Sequence, residues 1–456
     1  MRLLAGLLAV LSLCAQDTSR QLARDIFREL IEINTTDSVG DNTRAAEAMA
    51  ARFRAAGFPE GDLHLGGPMP RKGNLVVRLH GTGAARPILF IGHLDVVEAR
   101  RSDWSFDPFV FREQDGFFYG RGTQDMKGDD AILVTTFLRL KREGFQPARD
   151  LILALTSDEE GGPSNGIDWL LKNHRDWIDA EFCVNSDGGG GDIKNGKRLF
   201  MSIEAAEKVF VTFQLESTNP GGHSSQPSKD NAIYHVAGAL TRLAQFDFPV
   251  RLFDVTRAYF ERVSPVYGGQ IGADMKAVEQ NPGDAAAVAR LSATPLYNAL
   301  LRTTCVPTML SGGHAENALP QVARTVVNCR MLPVDTFENV EQTLQRVVAD
   351  PKVKISVMTA AKASPYVPMN AKVLDVVTAA TRRSWPGLPV IPQMQTGASD
   401  GVYLNAAGIP TYGVSGIFVD EDDVRAHGRD ERTLVTAFDE GIDFMYAVVK
   451  ELANAA

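Results

Sequence analysis

The sequence predicts an α/β protein: a largely parallel, helix-covered sheet with a second, α+β domain inserted into it. Two observations predict this fold class. Short, continuously apolar segments alternate with helical segments in the first and the last part of the chain, which is typical of strands buried on both faces. Between these parts lies a region where apolar and polar residues alternate one by one, as in strands with one solvent-exposed face.

The elements of the first part are predicted from spacing and from helix stop signals. Residues 42–56 are Ala-rich and end at Gly57, as expected of a helix with a C-terminal glycine. Apolar residues at helical spacing predict another helix over residues 22–31. The apolar strands are predicted at residues 75–77, 88–91, 151–155 and 182–184, with helices at 131–142 and 167–172 between them.

The inserted domain begins where the pattern changes, near Glu207. Val209, Val211, Phe213 and Leu215 then point to one face of a strand, and the residues between them point to the other. This pattern predicts an antiparallel sheet. Its further elements are predicted as a helix at residues 231–245, strands at 300–310, 322–332 and 353–357, and a helix at 340–348.

The alternation of helices and strands resumes near residue 373 and ends in a helix at 434–452. The larger domain is therefore expected in two parts, residues 17–206 and 363–456, around an inserted domain at 207–362. Residues 246–296 fit neither pattern, and we expect them to add partly helical structure to the inserted domain.

Composition and charge restrict the partners. The chain has 47 Lys and Arg against 56 Asp and Glu, a formal net charge of −9, and it has no basic run. This balance excludes nucleic acid as the main partner. No apolar window outside the N-terminus is long enough to cross a bilayer, so we expect no stable membrane span.

The N-terminus has the pattern of an export signal. Arg2 is followed by an apolar run over residues 3–13, too short for a bilayer but suited to a signal peptide. Cleavage is expected after Cys14 or Ala15, so residues 1–16 are assigned to the signal. Leu13 before Cys14 fits a lipoprotein signal poorly, and we expect a secreted or periplasmic protein. The alternative, a buried N-terminal helix, is disfavoured by the lack of polar positions over residues 3–11.

Three cysteines remain after the signal, too few for a disulfide scaffold. One interpretation of Cys183, Cys305 and Cys329 is three small buried hydrophobic residues. The other is a disulfide between Cys305 and Cys329 across a hairpin centred near Asn317.

Acidic and histidine residues follow three of the predicted strands. His93 and Asp95 come after the strand at 88–91, Glu159 and Glu160 after the strand at 151–155, and Asp187 after the strand at 182–184. Ligands bind outside the carboxyl ends of strands in such sheets. So many negative charges in one crevice are hard to keep ionised without a cation.

Two further segments add ligand types. Asp125 lies in a Gly-rich segment, residues 120–128, just before a predicted helix, and His427 lies in the polar segment 425–431. Each feature alone is common on surfaces and in turns. Together, mixed imidazole and carboxylate groups suit zinc or a similar divalent ion, and carboxylates can bridge two ions roughly 3.5–4 Å apart.

The motifs, in their order along the chain, resemble those of the di-zinc aminoacylase/carboxypeptidase family, which includes glutamate carboxypeptidase, succinyl-diaminopimelate desuccinylase, carnosine dipeptidase and carboxypeptidase S. They span nearly the whole chain after the signal. They are His93-x-Asp95, Gly122-Thr123-x-Asp125-Met126-Lys127-Gly128, Asp158-Glu159-Glu160-Gly161, Asp187, Pro220-Gly221-Gly222-His223-Ser224-Ser225, Asn317-Ala318-Leu319-Pro320 and His427-Gly428.

The resemblance implies two zinc ions per chain, with cobalt or manganese as substitutes, and a carboxylate shared between them. It also implies that Glu159 is the general base and that Asp95 accepts a hydrogen bond from the second ring nitrogen of His93. A cis peptide bond is expected between Asp125 and Met126. The implied metal ligands are His93, Asp125 and Asp187 for one ion and Asp125, Glu160 and His427 for the other.

The resemblance makes the inserted domain a lid that also dimerises in many members. It implies that His223 hydrogen-bonds the developing oxyanion, that Asn317 binds substrate and that Arg330 holds the substrate carboxylate. Residues 397–401 resemble a loop at the carboxylate end of the substrate. Residues 246–296 lengthen the lid and could block the usual dimer edge, which leaves open whether His223 acts on the partner subunit's site.

The expected activity is that of a metal-dependent hydrolase cleaving a peptide or amide bond next to a C-terminal amino acid, as a carboxypeptidase or dipeptidase does. The alternative within the same chemistry is an N-acyl-amino-acid amidohydrolase. Two other classes are a non-catalytic binding protein, disfavoured because the base and all five ligands are present, and a single-metal aminopeptidase. The expected partners are a small peptide or N-acyl amino acid and a second copy of the chain through the lid.

Overall fold

The computed structural model describes residues 18–359 and 364–455. The chain forms two compact units, which we call the larger and the smaller unit. The larger unit contains Met1–Ala205, Met369–Gln393 and Ser399–Ala456, and the smaller unit contains Ala206–Pro368 and Met394–Ala398. The chain therefore leaves the smaller unit after residue 368, six residues beyond the expected boundary at 362. Residues 394–398 belong to the smaller unit again. The predicted signal peptide, residues 1–16, lies outside the described residues.

Helices and strands alternate along the larger unit, and the smaller unit is built around a four-stranded sheet. The strands are β1 (Leu63–Gly66), β2 (Asn74–Leu79), β3 (Ile88–His93), β4 (Arg112–Gln114), β5 (Phe117–Tyr119), β6 (Leu151–Thr156), β7 (Phe182–Asn185), β8 (Gly190–Lys194), β9 (Lys197–Glu207), β10 (Val209–Thr218), β11 (Gly222–His223), β12 (Thr304–Gly312), β13 (Ala318–Leu319), β14 (Val322–Met331), β15 (Val353–Thr359), β16 (Val390–Gln395), β17 (Thr411–Gly413), β18 (Phe418–Asp420) and β19 (Arg432–Leu434).

The helices agree with the predicted segments. Strand β12 begins four residues later than predicted, because residues before it form a helix. The helices are α1 (residues 18–32), α2 (Asn42–Ala55), α3 (Lys127–Arg142), α4 (Gly166–Asn173), α5 (Arg175–Ile178), α6 (Ala232–Ala244), α7 (Asp254–Tyr267), α8 (Gly269–Gln280), α9 (Ala285–Ser292), α10 (Pro295–Leu301), α11 (Phe337–Val348), α12 (Ala371–Ser384), α13 (Gly401–Ala406) and α14 (Val435–Asn454), with short 3₁₀ turns at Glu60–Asp62 and Arg101–Asp103.

The main sheet of the larger unit is mixed, and its strand order is β1-β2-β6-β3-β7-β17-β9-β8-β18. The central strands β6, β3, β7 and β17 run parallel. Antiparallel pairs flank them, β1 with β2 and β2 with β6 on one side, β17 with β9 and β9 with β8 on the other. The predicted α/β class is confirmed, and the parallel part is the centre of the sheet rather than most of it.

Both faces of this sheet are buried, which explains the continuous apolar strands. All six residues of β3 and all six of β6 are buried. On one face, Phe90 packs edge-to-face against Phe137 of α3. On the other face a second cluster packs against α4 and α13. That cluster contains Val76, Leu89, Ile91, Ile152, Ala154, Ile167, Leu170, Ile178, Ala180, Cys183, Leu404 and Ile409.

The register of the central strands brings their carboxyl ends to one edge. His93, the last residue of β3, lies opposite Thr156 of β6, and Ile91 lies opposite Asn185, the last residue of β7. The loops that follow these strands therefore start side by side. This is the edge at which the sequence places its acidic residues.

The smaller unit is built on an antiparallel sheet with the strand order β12-β14-β10-β15. Strand β10 buries Val211, Phe213 and Leu215, as its alternating pattern predicts. Helices α6 and α11 pack on this face, and α7–α10 occupy residues 254–301. The core contains Val209, Val211, Phe213, Leu215, Ala239, Leu243, Phe248, Val327, Cys329, Met331, Val340, Leu344, Val348 and Val353.

Cys305 and Cys329 form a disulfide, as one of the two interpretations predicted. They lie directly opposite each other in the ladder between β12 and β14, so the bond joins an edge strand to its neighbour. Cys183 is a buried free thiol of the larger unit. None of the helices within the described residues combines the length and apolar character that a membrane crossing needs.

We expect the disulfide to stabilise the smaller unit by about 3 kcal/mol, because it closes a loop with a sequence separation of 24. Replacing both cysteines, Cys305→Ser with Cys329→Ser, should lower the midpoint of thermal unfolding of this unit. A reductant should lower the midpoint of the wild-type chain and leave that of the double variant unchanged. Equal midpoints for oxidised and reduced wild-type protein would contradict this expectation.

Candidate metal centre

Five side chains that are far apart in sequence come together at the strand-end edge of the larger unit. Nε2 of His93 lies 3.0 Å from Oδ1 of Asp125, and Nε2 of His427 lies 3.1 Å from Oδ2 of the same residue. Each oxygen of Asp125 therefore faces a different imidazole. Asp187 and Glu160 complete the two sides, with Asp187 Oδ1 3.8 Å from His93 Nε2 and Glu160 2.9 Å from His427 Nε2.

The chemistry of these donors fits two divalent cations. The ligand atoms of His93, Asp125 and Glu160 lie within 4.8 Å of one another, and so do those of His93, Glu159 and Asp187. Imidazole nitrogen and carboxylate oxygen are the donors that zinc and similar ions take. A carboxylate with one oxygen toward each imidazole is arranged as a bridge between two ions. Glu159 reaches the same region, so distance alone does not separate it from the ligands.

The segment between β5 and α3 positions Asp125. Its peptide bond to Met126 is cis, as expected. Helix α3 begins directly after it at Lys127 and passes under β3. A side chain at Gly92 would meet Asp130 Oδ1 at 2.1 Å, so only glycine allows β3 and α3 to approach so closely beside His93.

Asp95 orients the site in a way different from the expectation. Nδ1 of His93 lies 3.0 Å from the main-chain carbonyl oxygen of Asp95 and 3.7 Å from its carboxylate. The carboxylate instead accepts the backbone N–H groups of Glu159, at 3.2 Å, and Glu160, at 3.0 Å. This happens because β3 and β6 are parallel neighbours in register, which places the residues after both strands together. The expected hydrogen bond from the ring therefore ends on the backbone, and the carboxylate holds the paired glutamates.

Burial and mutual charge shift the pKa values of the acidic groups. Burial, then the nearby Asp187, raises the pKa of Glu159 well above its ordinary value. Burial also raises the pKa of Asp187, to about 7. Burial acts in the same direction on Asp125, but hydrogen bonds from His427 and His93 outweigh it and lower the pKa of that carboxyl group. Only a bound cation would let all these carboxylates ionise together.

Three residues around the centre were missed by the sequence reasoning. Glu431 is fully buried and accepts hydrogen bonds from the Gly-rich segment, including the N–H of Asp125 at 3.1 Å. It lies in the polar segment of His427, which is the signal that could have identified it. Lys72 donates to Asp158, the residue before Glu159, and nothing in its local sequence indicates this.

Lys127 is the third, and it links helix α1 to the Gly-rich segment that carries Asp125. Its Nζ donates to the carbonyl oxygens of Leu30, at 2.8 Å, and Ile33, at 2.9 Å, at the end of α1. The side chain is completely buried, and burial lowers its pKa to about 7. Helix α1 and the residue two positions after Asp125 are thus joined in the core.

In the smaller unit, a two-stranded ladder brings two of the predicted substrate residues together. Strand β11 pairs with β13, so that His223 lies opposite Ala318, the residue after Asn317. The N–H and the hydroxyl of Ser225 contact Nδ1 of His223 at 3.1 and 2.8 Å. A ring nitrogen that accepts from a backbone N–H carries no proton, so the neutral ring carries its proton on Nε2. Both His223 and Asn317 are exposed.

Arg330 lies on β14 of the same unit, opposite Phe210 of β10. Its guanidinium lies 4.8 Å from the centre of the Phe210 ring. Among the described residues of this unit, no carboxylate forms an ion pair with Arg330. A guanidinium that stacks on a ring and has no acidic partner there is suited to bind a carboxylate from outside.

The segment at residues 397–401 is divided between the two units. Gly397 and Ala398 belong to the smaller unit, and the rest belongs to the larger one. Asp400 is buried and accepts hydrogen bonds from Thr156, at 3.0 Å, and from Asn165, at 2.5 Å. Its carboxylate therefore connects the ends of β6 and α4.

Comparison with known proteins was made with this geometry in hand. Residues 89–451 match the sequence profile of peptidase family M20/M25/M40. The N-fatty-acyl-amino acid synthase/hydrolase PM20D1 of Homo sapiens is 28% identical over 375 residues, which cover 80% of this chain and 74% of that protein. The probable carboxypeptidase S-like 2 of Dictyostelium discoideum is 27% identical over 375 residues, which cover 80% of this chain and 71% of that protein.

A solved structure shows the same fold. The M20 family metallo-carboxypeptidase Sso-CP2 from Sulfolobus solfataricus aligns with a TM-score of 0.70 at 16% identity. The alignment covers 94% of this chain and 99% of that one. The mixed α/β architecture with a separate antiparallel domain is therefore shared along nearly the whole of both chains.

We expect metal binding at this centre to strengthen as the pH rises. In the metal-free chain, hydrogen bonds to Asp125 and Glu160 raise the pKa of His427 from 6.5 to about 10, so the ring is protonated at neutral pH. A metal-bound imidazole is neutral, so binding must release this proton. Each released proton should raise the apparent affinity about tenfold per pH unit below that pKa.

Calorimetric titration with zinc, in buffers that differ in ionisation enthalpy, measures both the affinity and the protons released. His427→Gln should remove part of the pH dependence. His80→Gln is the matched control, because His80 is an exposed histidine that also lies between two carboxylates, Asp62 and Asp150. A zinc affinity that does not change with pH would contradict the expectation.

Proposed function

The chain belongs to peptidase family M20/M25/M40, whose members are metal-dependent hydrolases, and on that premise we propose that it cleaves an amide bond next to a free α-carboxylate. The observation that carries this proposal is the placement of Asp125 between two imidazoles, close to the half-buried carboxyl group of Glu159. Peptide and amide bonds are the substrates of the family's chemistry. What we propose is the position of the cleaved bond and the role of each residue.

We assign two zinc ions to the centre, with cobalt or manganese as substitutes, because the donors are mixed imidazole and carboxylate groups. Bound ions would polarise the substrate carbonyl and lower the pKa of a water molecule. The residues that would hold them are His93, Asp125 and Asp187 for one ion and Asp125, Glu160 and His427 for the other.

Glu159 is assigned as the general base. Its carboxylate takes a proton from the attacking water while the bond from the water oxygen to the carbonyl carbon forms. When the carbon–nitrogen bond then breaks, the same carboxyl group gives the proton to the leaving nitrogen. Its raised pKa suits both steps, and Asp95 holds its backbone N–H in place.

Two residues of the smaller unit are assigned to substrate binding by their own geometry. His223 carries its proton on Nε2, and an N–H of this kind can donate to the oxygen on which negative charge develops. Arg330 offers a guanidinium without an acidic partner in its unit, which suits the α-carboxylate. Asn317 adjoins His223 and is assigned to the substrate amide.

Two acyl groups are candidates for the other side of the bond. A carboxypeptidase or dipeptidase would take an aminoacyl group there, and the Dictyostelium relative is named as carboxypeptidase S-like. An N-acyl-amino-acid amidohydrolase would take a fatty or other simple acyl group. The name of the human relative, N-fatty-acyl-amino acid synthase/hydrolase, favours this second candidate. Both candidates release an amino acid.

Export is proposed separately. The charged and apolar N-terminal pattern supports it, and so does the Cys305–Cys329 disulfide, since such bonds persist in oxidising compartments. N-terminal sequencing of the protein from its natural source should read from Ala15, Gln16 or Asp17. A chain that still begins at Met1 would contradict export by this signal.

A homodimer through the smaller unit is also proposed. Strand β12 is an edge strand, and its residues Val306, Met309 and Leu310 are exposed by 56%, 68% and 68%. These side chains are exposed although residues 246–296 lengthen the unit. An unpaired apolar edge can pair with the same strand of a second copy. Sedimentation at micromolar concentration that finds a monomer would contradict the proposal.

We expect Glu159→Gln to lower kcat by roughly 10²–10⁴-fold, the usual contribution of a general base. Metal content should stay at the wild-type value, because the proposal does not make Glu159 a ligand. Glu47→Gln, an exposed glutamate of α2, is the control and should leave both quantities unchanged. Wild-type turnover by the Glu159 variant would overturn the assignment.

The substrate class is tested with dipeptides and N-acyl amino acids, each as the free acid and as the C-terminal amide. We expect only the free acids to be good substrates. Arg330→Ala should lower kcat/KM for them by roughly 10–100-fold, as for loss of a charged hydrogen bond, and Arg330→Lys should restore part of it. Arg324→Ala, on the same strand but paired with Glu216, is the control. Equal rates on acids and amides would contradict the proposed bond position.

A further inference from the structure

A buried ion pair lies behind the metal centre, formed by Arg121 and Glu431. Nη1 of Arg121 is 2.6 Å from Oε2 of Glu431, and the two residues are only 2% and 0% exposed. A charged pair so deep in the protein needs further hydrogen bonds to offset its desolvation. The identity of the remaining partners therefore indicates what the pair holds in place.

All further partners of Glu431 come from the segment that carries Asp125. Oε1 accepts the N–H groups of Gln124, at 2.7 Å, and of Asp125 itself, at 3.1 Å. Oε2 accepts the N–H of Gly122 at 3.0 Å. One carboxylate thus accepts hydrogen bonds from three backbone N–H groups of this loop. The position of Asp125 depends directly on it.

Arg121 holds the other side of the same contact. Its Nη2 lies 3.4 Å from the carbonyl oxygen of His427. His427 has a φ of 63°, a left-handed backbone conformation that is uncommon for residues other than glycine. The guanidinium is fixed in turn by the ring of Trp104, whose centre is 4.9 Å away. The ion pair therefore fixes both Asp125 and His427.

The two ion positions depend on this pair to different degrees. In the position formed by Asp125, Glu160 and His427, the pair fixes two of the three residues, Asp125 and His427. In the position formed by His93, Asp125 and Asp187, it fixes only Asp125. His93 is held by the ladder of β3 and by the carbonyl oxygen of Asp95, and the N–H of Asp187 donates to Asn185 at 3.0 Å.

We propose that Arg121 and Glu431 are positioning residues that set the affinity of the ion position formed by Asp125, Glu160 and His427 more than that of the other position. This inference rests on the proposed two-ion centre. It goes beyond it by making the two affinities separable through residues that touch neither ion. Residues that orient ligands typically change metal affinity by about 10–100-fold when replaced.

The test is a stepwise calorimetric titration of the metal-free, full-length chain with zinc. Wild type should bind two ions per chain. In Glu431→Gln, one ion should bind about 10–100-fold more weakly, and the other should stay much closer to its wild-type affinity. Glu181→Gln is the matched control, since Glu181 makes a 2.6 Å pair with the buried Arg149 outside the centre and should leave both affinities unchanged.

A second variant makes the test independent of whether Glu431→Gln folds. Arg121→Lys keeps the positive charge but lacks the fork that reaches Glu431 and the carbonyl oxygen of His427 together, so it should produce the same selective loss. Equal weakening of both ions, or none, in the folded variant would overturn the inference. Wild-type chain that binds fewer than two ions would instead overturn the two-ion centre on which the inference rests.

Discussion

The sharing of one carboxylate between two imidazoles is the interaction on which the centre of this protein depends. Asp125 can lie between His93 and His427 only if the Gly-rich segment, the end of β3 and the segment at residues 425–431 come together in one place. The in-register parallel strands supply the strand ends, and the Gly-rich segment brings the loop across them. The acids collected there repel one another, so the fold assembles a site that is complete only with cations.

The two units differ in their kind of sheet. The larger unit buries its central strands on both faces, which makes their ends rigid and suits them to hold ligands in fixed positions. The smaller unit has an antiparallel sheet with an open face, and the residues proposed to bind substrate there are exposed in a turn or stacked on a ring.

The sequence was sufficient where local pattern decides structure. Continuous apolar strands, alternation in β10 and glycines at helix ends predicted the elements, and the confirmed fold class followed from them. The rule that ligands gather at strand ends pointed to His93, Glu160 and Asp187, and two further segments supplied Asp125 and His427. The family resemblance then selected these five residues, which the structure brings together. Their roles stay predictions, because proximity does not distinguish Glu159 as a base from Glu159 as a ligand.

What could not be predicted depends on contacts between residues distant in sequence. The carboxylate of Asp95 holds two backbone N–H groups that follow another strand, and Glu431 holds a loop more than 300 positions earlier, so neither contact leaves a periodic signal. The antiparallel flanks of the main sheet were missed for a related reason. A strand buried on both faces looks the same in sequence whichever way its neighbour runs.

The bond between Lys127 and the end of α1 gives the first described helix a consequence for maturation. A leader peptide is removed at a point only a few positions before this helix, if the N-terminal pattern acts as a signal. A protease that trimmed on through the helix as far as Leu30 and Ile33 would remove the two carbonyl oxygens that accept from the buried amine of Lys127. Helix α1 is therefore anchored, through Lys127, beside the segment that carries Asp125.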